Sequence, residues 1–292
     1  MSFPKDQKII QQIKSATVSI GLMDMDTKLV GINGSGFIYD SRGYVMTAAH
    51  VLNECIDIEK SLQAKGKNVE TVVLLPVASE TESAVIPIVV NGRLLANRDA
   101  GQQSTSDPYE MDVALAKMKN VNNTSYPSIK IKKKPSKIQI SDEISMCGFP
   151  RGSHSLSTIT TKITGVRLSP IIQFGHVGAL LPSDNVKDPY GIQTDIIGTS
   201  SSSGSPLVDP NTGEVIGLAQ NVIPSTFELK TAEKLQGELL VGLVWGDICN
   251  RFYDLAEATK DGFDNAHQKK FNTDVTKFNA SLGPDIKPPI KE

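Results

Sequence analysis

At 292 residues the chain is long enough for one large domain or two modest ones, each with its own core. Hydrophobic residues make up 39% of it and charged residues 21%, which is ordinary for a soluble globular protein. The formal net charge of −2 gives no electrostatic reason to expect a nucleic acid or an anionic membrane surface as partner.

The first residues, MSFPKDQKIIQQIK, contain no apolar core of the length that a secretory signal needs. No later stretch approaches the roughly 18 apolar residues of a membrane span. The three cysteines, Cys55, Cys147 and Cys249, form no CxxC pair and leave an odd count, which favours a reducing compartment. These features predict a cytoplasmic protein without a membrane anchor, although a processed exported form would read the same.

Short strands separated by turn residues dominate the chain from about residue 17 to Trp245. KIIQQIK, residues 8–14, can form one or two amphipathic helical turns before them. In chain order the strand-like segments are GSGFIYD, YVMTAAHVL, TVVLLPV, AVIPIVV, DVALAKMK, EISMCGF, ITTKITGVRL and EVIGLAQNVI. Strands of this length, broken by Gly, Asp, Asn and Pro, predict an all-β barrel or sandwich.

The serine-rich stretch at residues 198–209, GTSSSSGSPLVD, could be a flexible linker or an ordered segment, and the turn residues that follow it distinguish the two. Asp40–Gly43 and Asp209–Gly213 have the composition of hairpin turns, the second with proline and glycine where a tight turn uses them. Ser203 therefore stands just ahead of a strand-turn-strand unit. The four consecutive serines are not a flexible linker.

The predicted organisation has six parts. Residues 1–16 are an N-terminal helical segment, and the basic stretch at 126–137 is a solvated connector between two β units. The remaining parts are a first β unit at 17–125, a second at 138–245, a terminal helix at 246–259 and a polar tail at 260–292.

The terminal helix is predicted because Ile248, Phe252 and Leu255 would share one helical face. Asp247 is a candidate N-cap for this helix.

A hydroxyl becomes a nucleophile near neutral pH only beside a base that a third group orients. His50 follows a strand and two alanines, whose small size would let its ring project into a cleft. Asp112 immediately precedes the buried-looking Val113, where a carboxylate needs a partner such as an imidazole. Asp107, in an Asp-Pro turn, is the weaker candidate. His154, His176 and His267 are scattered, and we expect neither a metal site nor a cofactor.

Several short segments follow one another in a distinctive order: Gly34-Ser35-Gly36-Phe37, Thr47–His50, Asp112–Leu115, Cys147–Pro150, Thr161–Val166, Thr194-Asp195, Ser203–Leu207 and Gly213–Gly217. Together they resemble the trypsin/chymotrypsin-like serine peptidases, and most of all their HtrA/Deg-type branch, and the resemblance spans roughly residues 8–259. The resemblance implies a double six-stranded β-barrel with the active site between the barrels. It implies Ser203 as nucleophile, His50 as general base and Asp112 as orienting carboxylate, with the N–H groups of Ser201 and Ser203 as the oxyanion hole.

The chain departs from this family at several places. Glycine is usual two residues before the nucleophile, and Ser201 stands there, which suggests backbone strain or a flipped peptide. The base of the primary specificity pocket falls on Ile197, with Leu218, Ala219 and Gln220 along the pocket. An uncharged base predicts cleavage after small or medium apolar residues, because a buried cation would lack a counter-charge. The 33 residues after the terminal helix are too few for the PDZ domain common in that branch.

Two functions therefore stand as hypotheses. The first is a serine endopeptidase acting on protein or peptide substrates. The second is a catalytically silent relative that binds polypeptide in the cleft, motivated by Ser201 in the oxyanion turn. The sequence does not specify an oligomeric state.

Overall fold

A computed structural model describes residues 6–28, 30–78, 83–95, 111–119, 125–133, 137–150, 169–185, 187–199, 201–224 and 241–258. Three helices and twelve strands lie in this part of the chain. The helices are α1 (Gln7–Ala16), α2 (Ala49–Gln63) and α3 (Cys249–Ala258). The strands are β1 (Thr17–Asp24), β2 (Val30–Asp40), β3 (Tyr44–Ala48), β4 (Val69–Ala78), β5 (Ser83–Leu95), β6 (Val113–Met118), β7 (Glu143–Gly148), β8 (Ile171–Leu181), β9 (Gly191–Thr199), β10 (Pro206–Val208), β11 (Val215–Pro224) and β12 (Val241–Ile248).

The strands close into two six-stranded antiparallel barrels, as the resemblance implied. The first barrel has the order β1-β2-β3-β6-β5-β4 and the second β10-β11-β12-β9-β8-β7. Each encloses its own apolar core, with Val18, Ile38 and Val73 in the first and Ile144, Ile192 and Leu207 in the second. Among the described residues each sheet closes on itself, so each barrel is a rigid support for the loops that it carries.

Both predicted hairpin turns are present. Gly43 at φ +90° closes the turn from Asp40, whose carboxylate accepts from the Arg42 N–H at 2.9 Å. Gly213 at φ +74° closes the other, with its N–H bonded to the Asp209 carbonyl at 2.9 Å. Glycine serves both positions because a left-handed φ costs it little.

A third apolar cluster joins the barrels. Ile13 of α1, Phe37 and Met46 of the first barrel, Leu218 of the second and Phe252 of α3 are all buried in it. The terminal helix begins at Cys249 rather than at residue 246, and the N-cap assignment of Asp247 is wrong, because that residue lies inside β12. The side chain of Leu255 and the segments at 159–168 and 260–292 lie outside the described residues.

In its described part, the connector predicted to be solvated packs one side against the protein. Ile129 and Ile131 are buried, and Ile131 forms a parallel bridge with Val215 of the second barrel. Lys130 between them is exposed, and Lys132 pairs with Asp209 at 3.1 Å. Lysine and isoleucine alternate here, so one side of the segment faces the protein and the other faces solvent.

No described helix combines the length and the hydropathy that a membrane span requires. The three cysteines are buried, and none of them is in a disulfide bond. Burial raises the pKa of the Cys147 thiol to about 12, so this thiol stays protonated and packs as a small apolar group.

Candidate active site

His50 is the second residue of α2, a helix that the sequence analysis did not predict. The first N–H groups of a helix need partners from outside it, and the N-cap Ala48 has no side-chain acceptor to offer. Asp112 supplies them: its carbonyl accepts from the Ala49 N–H at 3.1 Å and its Oδ1 from the His50 N–H at 2.9 Å. The pairing of Ala48 with Val113 across β3 and β6 brings Asp112 to this helix start.

The same carboxylate holds the imidazole. Asp112 Oδ2 lies 2.5 Å from His50 Nδ1, while Oδ1 holds the backbone N–H of the same residue. An ionised carboxylate only accepts, so Nδ1 carries the proton and Nε2 is left as the basic nitrogen. The His50 side chain is 46% exposed and that of Asp112 only 10%, so the ring edge reaches solvent from a buried support.

The environment of Asp112 keeps its carboxyl ionised. Burial alone would raise its pKa, but the charge and hydrogen bond of His50, together with the N–H groups of His50 and Ala49, hold the pKa below its usual value. The positive end of the α2 dipole adds to this effect. The pair can therefore orient a neutral imidazole and stabilise it when it becomes protonated.

The loop that carries Ser203 docks against the first barrel. The Ser35 N–H of β2 donates to the Ser203 carbonyl at 2.9 Å, and the Gly204 N–H donates to Ala219 of β11 at 2.7 Å. Gly204 has φ +84°, and a Cβ there would overlap the Ser35 carbonyl and the Thr47 hydroxyl. Only glycine lets the loop lie this close to the end of β3, where His50 follows.

A second glycine, Gly34, lies between the main chain of Ser203 and the residue that follows His50. A Cβ on Gly34 would lie 2.6 Å from the side chain of Val51 and 3.1 Å from the Ser203 carbonyl oxygen. Val51 is the next residue after His50. The main chain of Ser203 and the start of α2 therefore flank the same point of β2.

The turn before Ser203 orients its peptide groups. The Ser202 N–H donates to the Thr199 carbonyl at 3.0 Å, and the Ser202 carbonyl accepts from the Ser205 N–H at 3.1 Å. Within the described ranges, the N–H groups of Ser201 and Ser203 donate no hydrogen bond. Ser201 has φ +68°, the left-handed conformation that the family's glycine would adopt without strain.

The four predicted specificity residues lie in different environments. Ile197 of β9 is 55% exposed. Leu218 and Ala219 are buried in apolar clusters, and the Gln220 side chain donates to Asp247. Of the four, only Ile197 therefore presents an exposed side chain.

Leu243 of β12 was not predicted as a site residue. It pairs with Ile197 across adjacent strands and is 41% exposed. The two side chains form an apolar pair on the surface of the second barrel. Leu243 can be identified only from its pairing with Ile197 across β12 and β9, and the sequence alone does not show which residues of two strands pair.

Asp247, predicted only as an N-cap, instead contacts the predicted site. Its carboxylate accepts from the Asp112 N–H at 3.1 Å, from the Gln220 amide and from the Arg251 guanidinium. Burial raises the pKa of Asp247 to about 6 despite the opposing charge of Arg251. Through this carboxylate, β12 and α3 of the second barrel hold the Asp112 backbone on the first.

A second histidine–aspartate pair lies on the surface of the second barrel. Asp195 accepts from the His176 N–H at 2.6 Å and lies 3.1 Å from its Nδ1, the same two-point arrangement as Asp112 with His50. Both side chains are partly exposed. Asp107, His154 and His267 lie outside the described residues, and no group of three potential metal ligands occurs among those described.

Three solved structures illustrate what the chain is similar to. The first is an HtrA-type protease, AlgW with tripeptide, at 16% identity and a TM-score of 0.46, covering 86% of this chain and 62% of that one. The second is Deg5, at 20% and 0.46, covering 73% and 82%. The third is the MamO protease domain from Magnetospirillum magneticum, at 15% and 0.48, covering 84% and 97%. This chain thus spans less than two thirds of the AlgW chain.

A family model for the trypsin-like peptidase domain matches residues 34–218. The matched region contains His50, Asp112 and Ser203, and it takes in strands of both barrels. It covers more than half of the chain, which therefore belongs to the trypsin-like peptidase family.

Proposed function

We propose that the protein is a serine endopeptidase that cleaves peptide bonds through an acyl-enzyme on Ser203. The observation that carries the proposal is the two-point hold of Asp112 on His50, beside the docking place of the Ser203 loop. This is the arrangement that a hydroxyl nucleophile requires of its base.

In the proposed mechanism, Ser203 Oγ attacks the carbonyl carbon of the scissile bond as His50 Nε2 takes its proton. Asp112 stabilises the imidazolium that forms. The N–H groups of Ser201 and Ser203 bind the oxyanion, an interaction for which one donor is worth about 100- to 1,000-fold in kcat. His50 then protonates the leaving amine, and water repeats the sequence to release the acyl group.

Fluorophosphonate labelling tests the proposal and identifies the serine. We expect one phosphonylated residue, located at Ser203 by peptide mapping, and no label in Ser203→Ala. Ser202→Ala is the matched control, because the Ser202 hydroxyl instead accepts from the Thr199 N–H at 3.1 Å, and this variant should still be labelled. Labelling of another serine would contradict the assignment.

The strained Ser201 favours one alternative, a silent relative that binds polypeptide in the cleft. A serine at φ +68° lies where L-residues are about 1–2 kcal/mol less stable than in the right-handed region. A turn that relaxed would lose an oxyanion donor. Complete absence of labelling in the folded protein, together with binding of an unstructured polypeptide, would support this alternative over the peptidase.

For substrate choice we propose small or medium apolar residues before the cleaved bond. Ile197 and Leu243, exposed and paired across β9 and β12, support this preference, because an apolar side chain seated on them loses water without burying a charge.

Ile197→Asp should shift substrate preference toward lysine and arginine. We expect about a fivefold gain in kcat/KM for a basic residue relative to leucine, since one partly shielded ion pair contributes about 1 kcal/mol. A peptide library measures the shift. Ile86→Asp is the control: Ile86 is 45% exposed on a strand of the first barrel, and its replacement should leave the profile unchanged. An unaltered profile in Ile197→Asp would remove Ile197 from the pocket.

A further inference from the structure

Ser35, in the segment Gly34-Ser35-Gly36 of β2, contacts the loop that carries Ser203 at two points. We infer that Ser35 is a positioning residue whose hydroxyl holds the oxyanion turn at Ser201 in its strained conformation. The inference rests on the proposed function for its effect on catalysis. Its effect on the backbone can be measured separately.

The hydroxyl of Ser35 is fully buried and its two hydrogen bonds fix its direction. The Phe149 N–H donates to Ser35 Oγ at 2.9 Å. Because that contact uses a lone pair, the single hydroxyl proton is directed to the Ser201 carbonyl, 2.8 Å away. The hydroxyl thus links β2 to both the oxyanion turn and the end of β7.

The main chain of Ser35 binds the other end of the same turn. Its N–H donates to the Ser203 carbonyl at 2.9 Å, and its own carbonyl accepts from the buried Thr47 hydroxyl at 2.7 Å. One residue of the first barrel therefore contacts both Ser201 and Ser203, whose N–H groups are the proposed oxyanion donors.

Ser201 needs such a restraint because it is not glycine. Relaxation from φ +68° to the right-handed region changes ψ as well as φ, and so turns the Ser201 carbonyl to a new direction. Ser35 holds that carbonyl, and the Thr199 carbonyl holds the Ser202 N–H at the other end of the same peptide group. Without the Ser35 hydroxyl, the Ser201 carbonyl can rotate, and Ser201 relaxes to a negative φ.

Ser35→Ala is the first test. A crystal structure of this variant should show Ser201 at negative φ. Its kcat should fall about 100-fold with KM within about twofold of wild type, because a withdrawn oxyanion donor affects the transition state alone. Ser145→Ala, which removes another fully buried serine hydroxyl, is the control and should change kcat by less than about twofold.

A double variant separates this role from a general loss of stability. Ser35→Ala/Ser201→Gly should recover about tenfold of the lost kcat, because glycine adopts the left-handed conformation without restraint. Recovery specific to Ser201→Gly supports the inference. If kcat is as low in Ser35→Ala/Ser201→Gly as in Ser35→Ala, the inference is contradicted.

Two outcomes overturn the inference while leaving the proposed function intact. One is a folded Ser35→Ala that keeps Ser201 at positive φ, and the other is a kcat within about threefold of wild type. If the wild type shows no Ser203-dependent hydrolysis, the proposed function fails and the Ser201 conformation alone decides the inference.

Should Ser35→Ala not fold, Ser35→Cys replaces it. A thiol is a weak donor, so an intermediate kcat is expected and an unchanged one overturns the inference.

Discussion

Replacing Asp112 with asparagine is expected to lower kcat about 10,000-fold while the protein remains folded. In wild type, Oδ1 accepts from the His50 N–H and Oδ2 faces Nδ1. The amide oxygen of asparagine would keep the first contact, which places its NH₂ group against Nδ1. An NH₂ group only donates, so Nδ1 must become the acceptor and the proton moves to Nε2. The imidazole is then unable to act as base toward Ser203.

Asp195→Asn is the matched control for this prediction. Asp195 holds His176 by the same two points, through its backbone N–H and through Nδ1. The same chemical change is made there outside the proposed catalytic residues, so kcat/KM should stay within about twofold. Steady-state kinetics on an apolar peptide and the rate of fluorophosphonate labelling measure both variants. Equal, small effects of the two substitutions would remove Asp112 from the mechanism.

The parts of the fold that the sequence predicted depend on local patterns. The hairpins at Asp40–Gly43 and Asp209–Gly213 follow from turn residues whose conformational needs are visible in four or five letters. The placement of Asp112 before Val113 indicated a buried acid in need of a partner. These signals, together with the family resemblance, were enough for two barrels and for a histidine–aspartate pair.

The elements that were missed depend on contacts distant in sequence. Helix α2 begins where Asp112, 62 residues further along, accepts from the His50 N–H, so its start has no local cap to indicate it. Asp247 looked like an N-cap because an acid precedes a helical pattern. In the fold it is buried in β12 and accepts from the backbone of Asp112, 135 residues earlier. Neither of these two long-range hydrogen bonds can be recognised from the residues next to it in the sequence.

Ser201 shows how a local irregularity can be resolved far away. The sequence lacks the family's glycine at this position and is compatible with either a strained or a flipped turn. The structure places the residue at φ +68°, with its carbonyl bonded to Ser35, 166 positions earlier. A serine is thus compatible with this turn where the first barrel supplies a buried hydroxyl opposite it.

Gly204→Ala is expected to lower the free energy of unfolding by about 2–5 kcal/mol, and kcat by more than about 100-fold in the protein that remains folded. A left-handed φ costs an alanine about 1–2 kcal/mol. The rest comes from its Cβ, which would overlap the Ser35 carbonyl and lie 3.1 Å from the Ala48 N. Both are backbone atoms of the first barrel, so the nucleophile loop has to move away from them.

Gly66→Ala separates the two contributions. Gly66 has φ +76°, and an added Cβ there meets no atom within 4 Å, so this variant bears the conformational cost alone. Urea unfolding should show a loss of about 1–2 kcal/mol for Gly66→Ala and a clearly larger one for Gly204→Ala. The difference measures how closely the loop of Ser203 is pressed against β2 and β3. Equal losses would mean that a Cβ at residue 204 meets no steric clash. The close contact of the Ser203 loop with β2 and β3 would then be contradicted.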